Sequence, residues 1–302
     1  MTADLSRFRG IFPAVVTPMT AQDDLHEDHL RAVFDLNVKA GAHGFWIAGG
    51  SGESVLLSDD ENRRIATVAA QQVGDRAVTI MHVGAPTTTR AADLAAHAAA
   101  AGVHAICCVP PFFYRRSDEE IVEHYRAVGA AADLPLFVYN LPGSTGVEIT
   151  VDLLRKIQDG VPQLAGLKHS SMNLVAARQF ADMGLSCFTG SSHLLLPAMT
   201  MGACGCVDGP PCVAPEPWVA MWNALEAGDS AAAEVARRRS GEGIDLCVMF
   251  TGTKFHAVMK AAVGLRLGLN LGDPRRPALP LTEAERAQVA ERLAALGLDT
   301  LG

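Results

Sequence analysis

The chain carries no surplus of positive charge: 25 lysines and arginines stand against 33 aspartates and glutamates, a formal net charge of −8. That balance leaves no basic footprint for nucleic acid or an acidic membrane surface. No run approaches eighteen uninterrupted apolar residues, so no bilayer span is expected. Met1 to Arg7 is polar with no apolar stretch behind it, which points away from a secretory leader and towards the cytoplasm. Metal-type cysteine spacing is also missing. The seven cysteines (Cys107, Cys108, Cys187, Cys204, Cys206, Cys212 and Cys247) are odd in number and lie mostly in apolar stretches, the usage of buried reduced thiols. Cys204-x-Cys206 with Cys212 has neither a CxxC pair nor a matching histidine cluster, so no metal site is expected. Low-complexity segments, solenoid-length repeats and long linkers are lacking as well.

What the chain does have is alternation. Its 302 residues, 49% hydrophobic and 19% charged, suit one large domain or a domain with an appendage. Strand-like runs near 12–17, 44–49, 77–83, 105–110, 135–140, 164–169, 185–190 and 204–208 alternate with helical runs. The latter lie near 27–41, 59–73, 87–101, 117–132, 150–159, 173–183 and 193–202. Ser58 and Ser117, each just before an acidic triplet, read as helix caps, and Ser117 to Glu120 as a capping box. Eight strand-like runs joined by seven helical crossovers predict a closed parallel (β/α)8 TIM barrel, an α/β fold, over residues 1–210. After Pro210-Pro211, residues 211–302 read as a C-terminal helical appendage with amphipathic stretches near 216–227, 230–250, 253–267 and 282–297.

Three segments carry chemistry. Pro135 to Tyr139 and Leu164 to Lys168 are apolar runs that break into polar residues at Asn140 and His169. A lysine ending a buried strand either packs its stem on the rim with its amine in water, or is kept partly neutral and attacks ketones. The third segment, Ala48-Gly49-Gly50-Ser51-Gly52-Glu53-Ser54, follows the strand-like Phe45-Trp46-Ile47. Its spacing fits neither a P-loop nor a dinucleotide site. It reads either as a plain tight turn or as a backbone cradle for a carboxylate, to which Ser51 adds a hydroxyl.

Together these segments resemble the dihydrodipicolinate synthase / N-acetylneuraminate lyase family of pyruvate-handling class I aldolases. The resemblance rests on Gly49-x-x-Gly52-Glu53, the Tyr139-Asn140-x-Pro142-x-x-Thr145-Gly146 run and Gly166-Leu167-Lys168, with Phe12 to Pro18 matching the first strand. It runs from about Ile11 to about Gly268. The resemblance implies catalytic roles for Lys168, as imine-forming nucleophile on pyruvate or another 2-oxo acid, and for Tyr139, as proton shuttle. It implies a carboxylate cradle at Gly50, Ser51 and Gly52. By their place at the strand ends, Ser144, Ser170, Ser192, Val207 and Asp208 are further candidate substrate contacts, with Asp208 either binding a substrate hydroxyl or pairing with a neighbour. The resemblance also implies no metal or organic cofactor, and a homo-oligomer, dimer or tetramer.

Departures bear on the substrate. Where the family turn usually carries a first hydroxyl residue this chain has Gly50, and where a tyrosine usually reaches a neighbouring subunit it has Phe113, followed by Tyr114. Ser144 replaces the arginine that grips the second carboxylate in dihydrodipicolinate synthases, and Thr189 to His193 lacks the acidic pair of sialate lyases. The remaining mouth residues, Ser144, Thr145, Ser170, Ser171, Ser191 and Ser192 with His169, His193 and Asp208, suit a polyol chain. His169 should point away from the barrel axis by strand alternation, and His82 reads as core packing. Three functions are consistent with this pattern: an aldolase for 2-keto-3-deoxy sugar acids; a dehydratase or a 4-hydroxy-tetrahydrodipicolinate synthase-like condensation; and a 2-oxo-acid-binding regulator without turnover.

Overall fold

The apolar runs form eight parallel strands in the computed structural model, which describes residues 5–250 and 252–298. They are β1 (Gly10–Pro13), β2 (Gly44–Ile47), β3 (Val78–His82), β4 (Ala105–Cys108), β5 (Leu136–Asn140), β6 (Leu164–His169), β7 (Ser186–Thr189) and β8 (Gly205–Asp208). Their order, β1-β8-β7-β6-β5-β4-β3-β2, is that of a barrel. β1 and β2 meet through an Ala14–Trp46 bridge, with the His43 N–H 3.0 Å from the Ile11 carbonyl and the Val15 N–H 3.2 Å from that of Trp46. The fold is therefore the (β/α)8 barrel that the alternation predicts, followed by further helices.

Local chemistry sets the helix starts. Ser58 and Ser117 each accept the N3 backbone N–H while Glu61 and Glu120 return a bond to the cap, so both starts are complete capping boxes. Thr282 and Glu285 repeat the device before helix Glu283–Ala295. The inward stripe of helix Asp59–Val73 is Ile65, Ala66, Val68, Ala69 and Val73, an i, i+3, i+4 set that packs on the barrel's outer face. After β8, helix Pro215–Glu226 lays Trp218, Met221 and Trp222 against Ile11 and Cys206. Among the described residues no helix is long and apolar enough to cross a membrane.

The barrel interior is built from rings. Phe12, Trp46, Phe137, Tyr139 and Phe188 share one buried cluster with Val207, and Phe8 joins it just after the short turn Leu5–Arg7. Phe12 and Phe188 lie 4.8 Å apart between centroids, and Phe8 and Phe137 5.0 Å, tilted or edge-on as aromatic quadrupoles prefer. Rings of this size fit because glycines sit beside them. A Cβ at Gly44 would come within 2.2 Å of the Phe12 ring, and one at Gly166 within 2.7 Å of Phe137 and 2.1 Å of the Ser186 carbonyl oxygen.

β1 begins and ends earlier than its sequence suggests, at 10–13 instead of 12–17. A continuous apolar run has no alternation to mark its ends, and Pro13 cannot donate to a ladder. Residues 14–17 instead run on into the barrel mouth, where the Thr17 hydroxyl donates to the Gly52 carbonyl at 2.7 Å.

Gly166→Ala should push β6 off β7 and destabilise the protein by about 3 kcal/mol, the upper end of overpacking costs. Urea unfolding of the variant checks this; an unchanged midpoint would show that the strands separate freely at this point.

Candidate active site

The ends of β2, β5, β6, β7 and β8 bring the sequence-singled residues to one mouth. β5 and β6 pair with Tyr139 opposite Lys168 and Asn140 opposite His169. Strand alternation then turns Tyr139 and Lys168 inward together. Both are buried, at 5% and 4% exposure. Lys168 Nζ lies 4.4 Å from the Tyr139 ring centroid and 5.4 Å from that of Trp46. The amine thus rests among ring faces in a water-poor pocket.

Opposite the phenol lies Gly50, whose missing Cβ would stand 3.4 Å from the Tyr139 hydroxyl. That leaves a notch one small group wide beside the oxygen. The turn itself is tight: the Gly52 and Ser54 N–H groups both bond back to the Gly49 carbonyl, and Glu53 N–H to that of Gly50. Ser51 faces the turn after β8, where a Cβ on Gly209 would approach its hydroxyl to 2.9 Å.

The next strands add polar atoms. Asp208 ends β8 and uses one carboxylate oxygen on the Ser192 N–H at 2.7 Å and the other on the Gly209 N–H at 2.8 Å. It therefore ties the loop after β7 to the loop after β8. Ser192 is buried and its hydroxyl has no partner. Ser170 N–H bonds the Asn140 carbonyl at 2.9 Å, and its side chain lies against Gly190. Ser144 is exposed on the short helix Pro142–Thr145 after β5, while Thr145 spends its hydroxyl on the Leu141 and Val147 carbonyls. Val207 is fully buried in the ring cluster.

The histidines divide by strand parity. His169 faces outward: its Nδ1 accepts from the Asn140 amide at 3.1 Å and its Nε2 donates to the Asn173 carbonyl at 3.1 Å. Asn140 also holds both polar groups of Ile149, so it braces the loop that carries Ser144. His82, on β3, is buried with its ring 6.2 Å from that of Tyr139, and its Nε2 has no partner. Burial, and then the nearby Lys168 charge, lower its pKa to about 4. A Cys–His pair absent from the sequence reading occurs at Cys108 and His124, 3.4 Å apart behind β4. Burial raises the thiol far above its ordinary value and lowers the imidazole to about 4, so both are neutral and the pair is a packing contact rather than an ion-paired nucleophile.

Sequence reasoning missed the supports of the Gly50–Gly52 turn. Glu53 forms a buried ion pair with Lys260, and His256 reaches the Gly50 carbonyl. Their partners lie some two hundred positions away, beyond any local pattern.

His82 and His124 are neutral in the folded protein down to about pH 4, against an ordinary value of 6.5. The unfolded chain binds more protons between these values, so stability should fall as pH drops from 6.5 to 4. Each ring contributes a slope of up to about 1.4 kcal/mol per pH unit. Urea titrations at stepped pH check this. His124→Gln should flatten the dependence, and an identical slope in the variant would remove His124 as a source.

Comparison with known proteins agrees with this geometry. The family model described as "Dihydrodipicolinate synthetase family" matches residues 7–296. An uncharacterized DapA-like lyase of Halobacterium salinarum is 36% identical over 96% of this chain and 94% of its own length. A 4-hydroxy-tetrahydrodipicolinate synthase of Mycolicibacterium paratuberculosis is 31% identical over 92% of this chain and 91% of its own. Among solved structures, a prophage protein of the dihydrodipicolinic acid synthase family from E. coli K12, in complex with pyruvate, superposes with a TM-score of 0.89. It is 26% identical, over 96% of this chain and 99% of its own. A sialic acid aldolase of Ruminococcus gnavus, carrying a catalytic lysine mutation, shares the fold with a TM-score of 0.91 at 24% identity, over 97% and 98% of the two chains.

Proposed function

The chain belongs to the dihydrodipicolinate synthetase family and is a lyase by that membership, and we propose that it is a Schiff-base aldolase for 2-keto-3-deoxy sugar acids that releases pyruvate. The observation that carries this reading is the in-register pair of Tyr139 and Lys168 at the mouth, with the Gly50 notch beside the phenol. Lys168 Nζ attacks the ketone carbon of the 2-oxo acid, and loss of water gives a protonated imine. The imine withdraws electrons from C3, so the C3–C4 bond breaks as the C4 hydroxyl gives up its proton and leaves as an aldehyde. The enamine then takes a proton at C3, and water releases pyruvate and the amine. In this reading Tyr139 passes the protons of the carbinolamine and of the C4 hydroxyl.

The substrate carboxylate would be met by the Gly50 and Ser51 N–H groups and the Ser51 hydroxyl, since Gly52, Glu53 and Ser54 use theirs within the turn. In the notch left by Gly50 a substrate hydroxyl can approach Tyr139 directly, doing what a protein hydroxyl would do there. Ser144, exposed where an arginine would clamp a second carboxylate, together with Ser170, favours a neutral polyol tail over a second substrate that carries a carboxylate. A missing charged clamp of that kind weakens carboxylate binding by on the order of 2–5 kcal/mol.

Phe113 and Tyr114 are 84% and 65% exposed, stacked edge-on with centroids 4.9 Å apart. Two large rings this exposed support a homo-oligomer with the pair at a contact.

Borohydride trapping with pyruvate and peptide mapping should place an adduct on the Lys168 peptide of the wild type and none on Lys168→Ala. A Lys168→Ala protein that still turns over its substrate would sink the mechanism. Tyr139→Phe should keep the adduct while turnover falls by roughly 10²–10⁴-fold. Pyruvate release across a panel of keto-deoxy acids separates this reading from its neighbours. Consumption of the acid without pyruvate indicates a dehydratase, and binding without turnover of any member indicates a regulator.

A further inference from the structure

The turn carrying Gly50, Ser51 and Gly52 is held from the far end of the chain. Glu53 closes it at a φ of +65°, in the left-handed region that a side-chain-bearing residue occupies only under constraint. The Glu53 carboxylate lies 2.6 Å from Lys260 Nζ, with both side chains 1% exposed. Its second oxygen accepts the Arg275 backbone N–H at 2.5 Å, and Lys260 also donates to the Asp273 carbonyl at 2.9 Å. One turn earlier in helix Phe255–Leu267, His256 Nε2 stands 2.9 Å from the Gly50 carbonyl. A carbonyl only accepts, so this nitrogen carries a proton whatever the charge of the ring. Phe255 and Met259 press on Gly209, the glycine that faces the Ser51 hydroxyl.

A fully desolvated ion pair is a weak source of stability, because desolvation offsets most of its attraction and an apolar pair of equal volume does as well. What such a pair does supply is direction: each charge must meet its partner, which fixes the backbone that carries it. Here that backbone is the strained end of the turn.

We propose that Glu53, Lys260 and His256 are positioning residues that hold the Gly50–Gly52 turn in its carboxylate-binding shape, so that the C-terminal helices complete the active site. This rests on the carboxylate reading of the turn given above. Lys260 acts through Glu53 and His256 through the Gly50 carbonyl; neither is assigned a contact with substrate.

The test uses full-length protein and pyruvate as the probe, following borohydride trapping on the Lys168 peptide as a function of pyruvate concentration. His256→Ala should raise the half-saturating concentration by about tenfold, the worth of one well-placed hydrogen bond, while the adduct at saturation still forms on Lys168. His256→Gln, whose amide can donate to the same carbonyl, should recover most of that loss. Lys260→Met takes the cation away from a buried carboxylate and is expected to fold poorly. The double variant Glu53→Gln/Lys260→Met removes both charges, should remain folded by thermal melting, and should show the same raised half-saturation. Wild-type half-saturation in both His256→Ala and the folded double variant would overturn the proposal alone. A wild-type protein that traps no pyruvate at Lys168 would overturn the carboxylate reading and this proposal with it.

Discussion

β5 and β6 run in parallel with Tyr139 opposite Lys168 and Phe137 opposite Gly166, after an irregularity between Leu136 and Phe137 that shifts their register. The side chains of a strand alternate with a period of two, so a slip by one residue would turn Lys168 to the outer face and bring His169 inside. Gly166 bears on this register. Its missing side chain lets Phe137 fill the barrel and lets β6 approach the Ser186 carbonyl of β7. The inward amine of Lys168, its phenol neighbour and the ring-filled interior below them are thus consequences of one strand pairing.

Around that pair the protein separates two kinds of polar chemistry. Within the mouth the amine lies over ring faces, and His82 is kept neutral by burial. Full ion pairs sit just outside. Glu53 with Lys260 lies behind the turn, and Arg275 grips Glu61 with both terminal nitrogens while its own N–H reaches Glu53. Charges placed there act on the backbone geometry of the turn, and the mouth is left to hydroxyls, backbone N–H groups and the amine. Asp208 is the mouth's exception in charge but not in role, since both its oxygens are used on backbone N–H groups.

The resemblance and the strand ends made Lys168 and Tyr139 legible, because a lysine or tyrosine closing an apolar run is a local signal. The capping boxes at Ser58 and Ser117 were legible for the same reason, each being complete within four residues. The start of β1 is not legible, because Phe12 to Val16 is uniformly apolar and nothing local marks where its ladder begins or stops. The outward turn of His169 followed from alternation and is what the Asn140 contact shows. Asp208 stayed open between a substrate contact and a structural pairing, since its partners at Ser192 and Gly209 depend on how two loops meet.

The sequence by itself determined the alternating strands and helices, the mouth at which Lys168 and Tyr139 meet, and the family, because all of these are written in periodicity and short motifs. Only the tertiary structure decided what holds the Gly50 turn. His256 and Arg275 reach it across 206 and 222 positions of chain. The reason is physical: periodicity and capping act over a few residues, whereas the partner of a buried charge is set by which elements the closed barrel brings together.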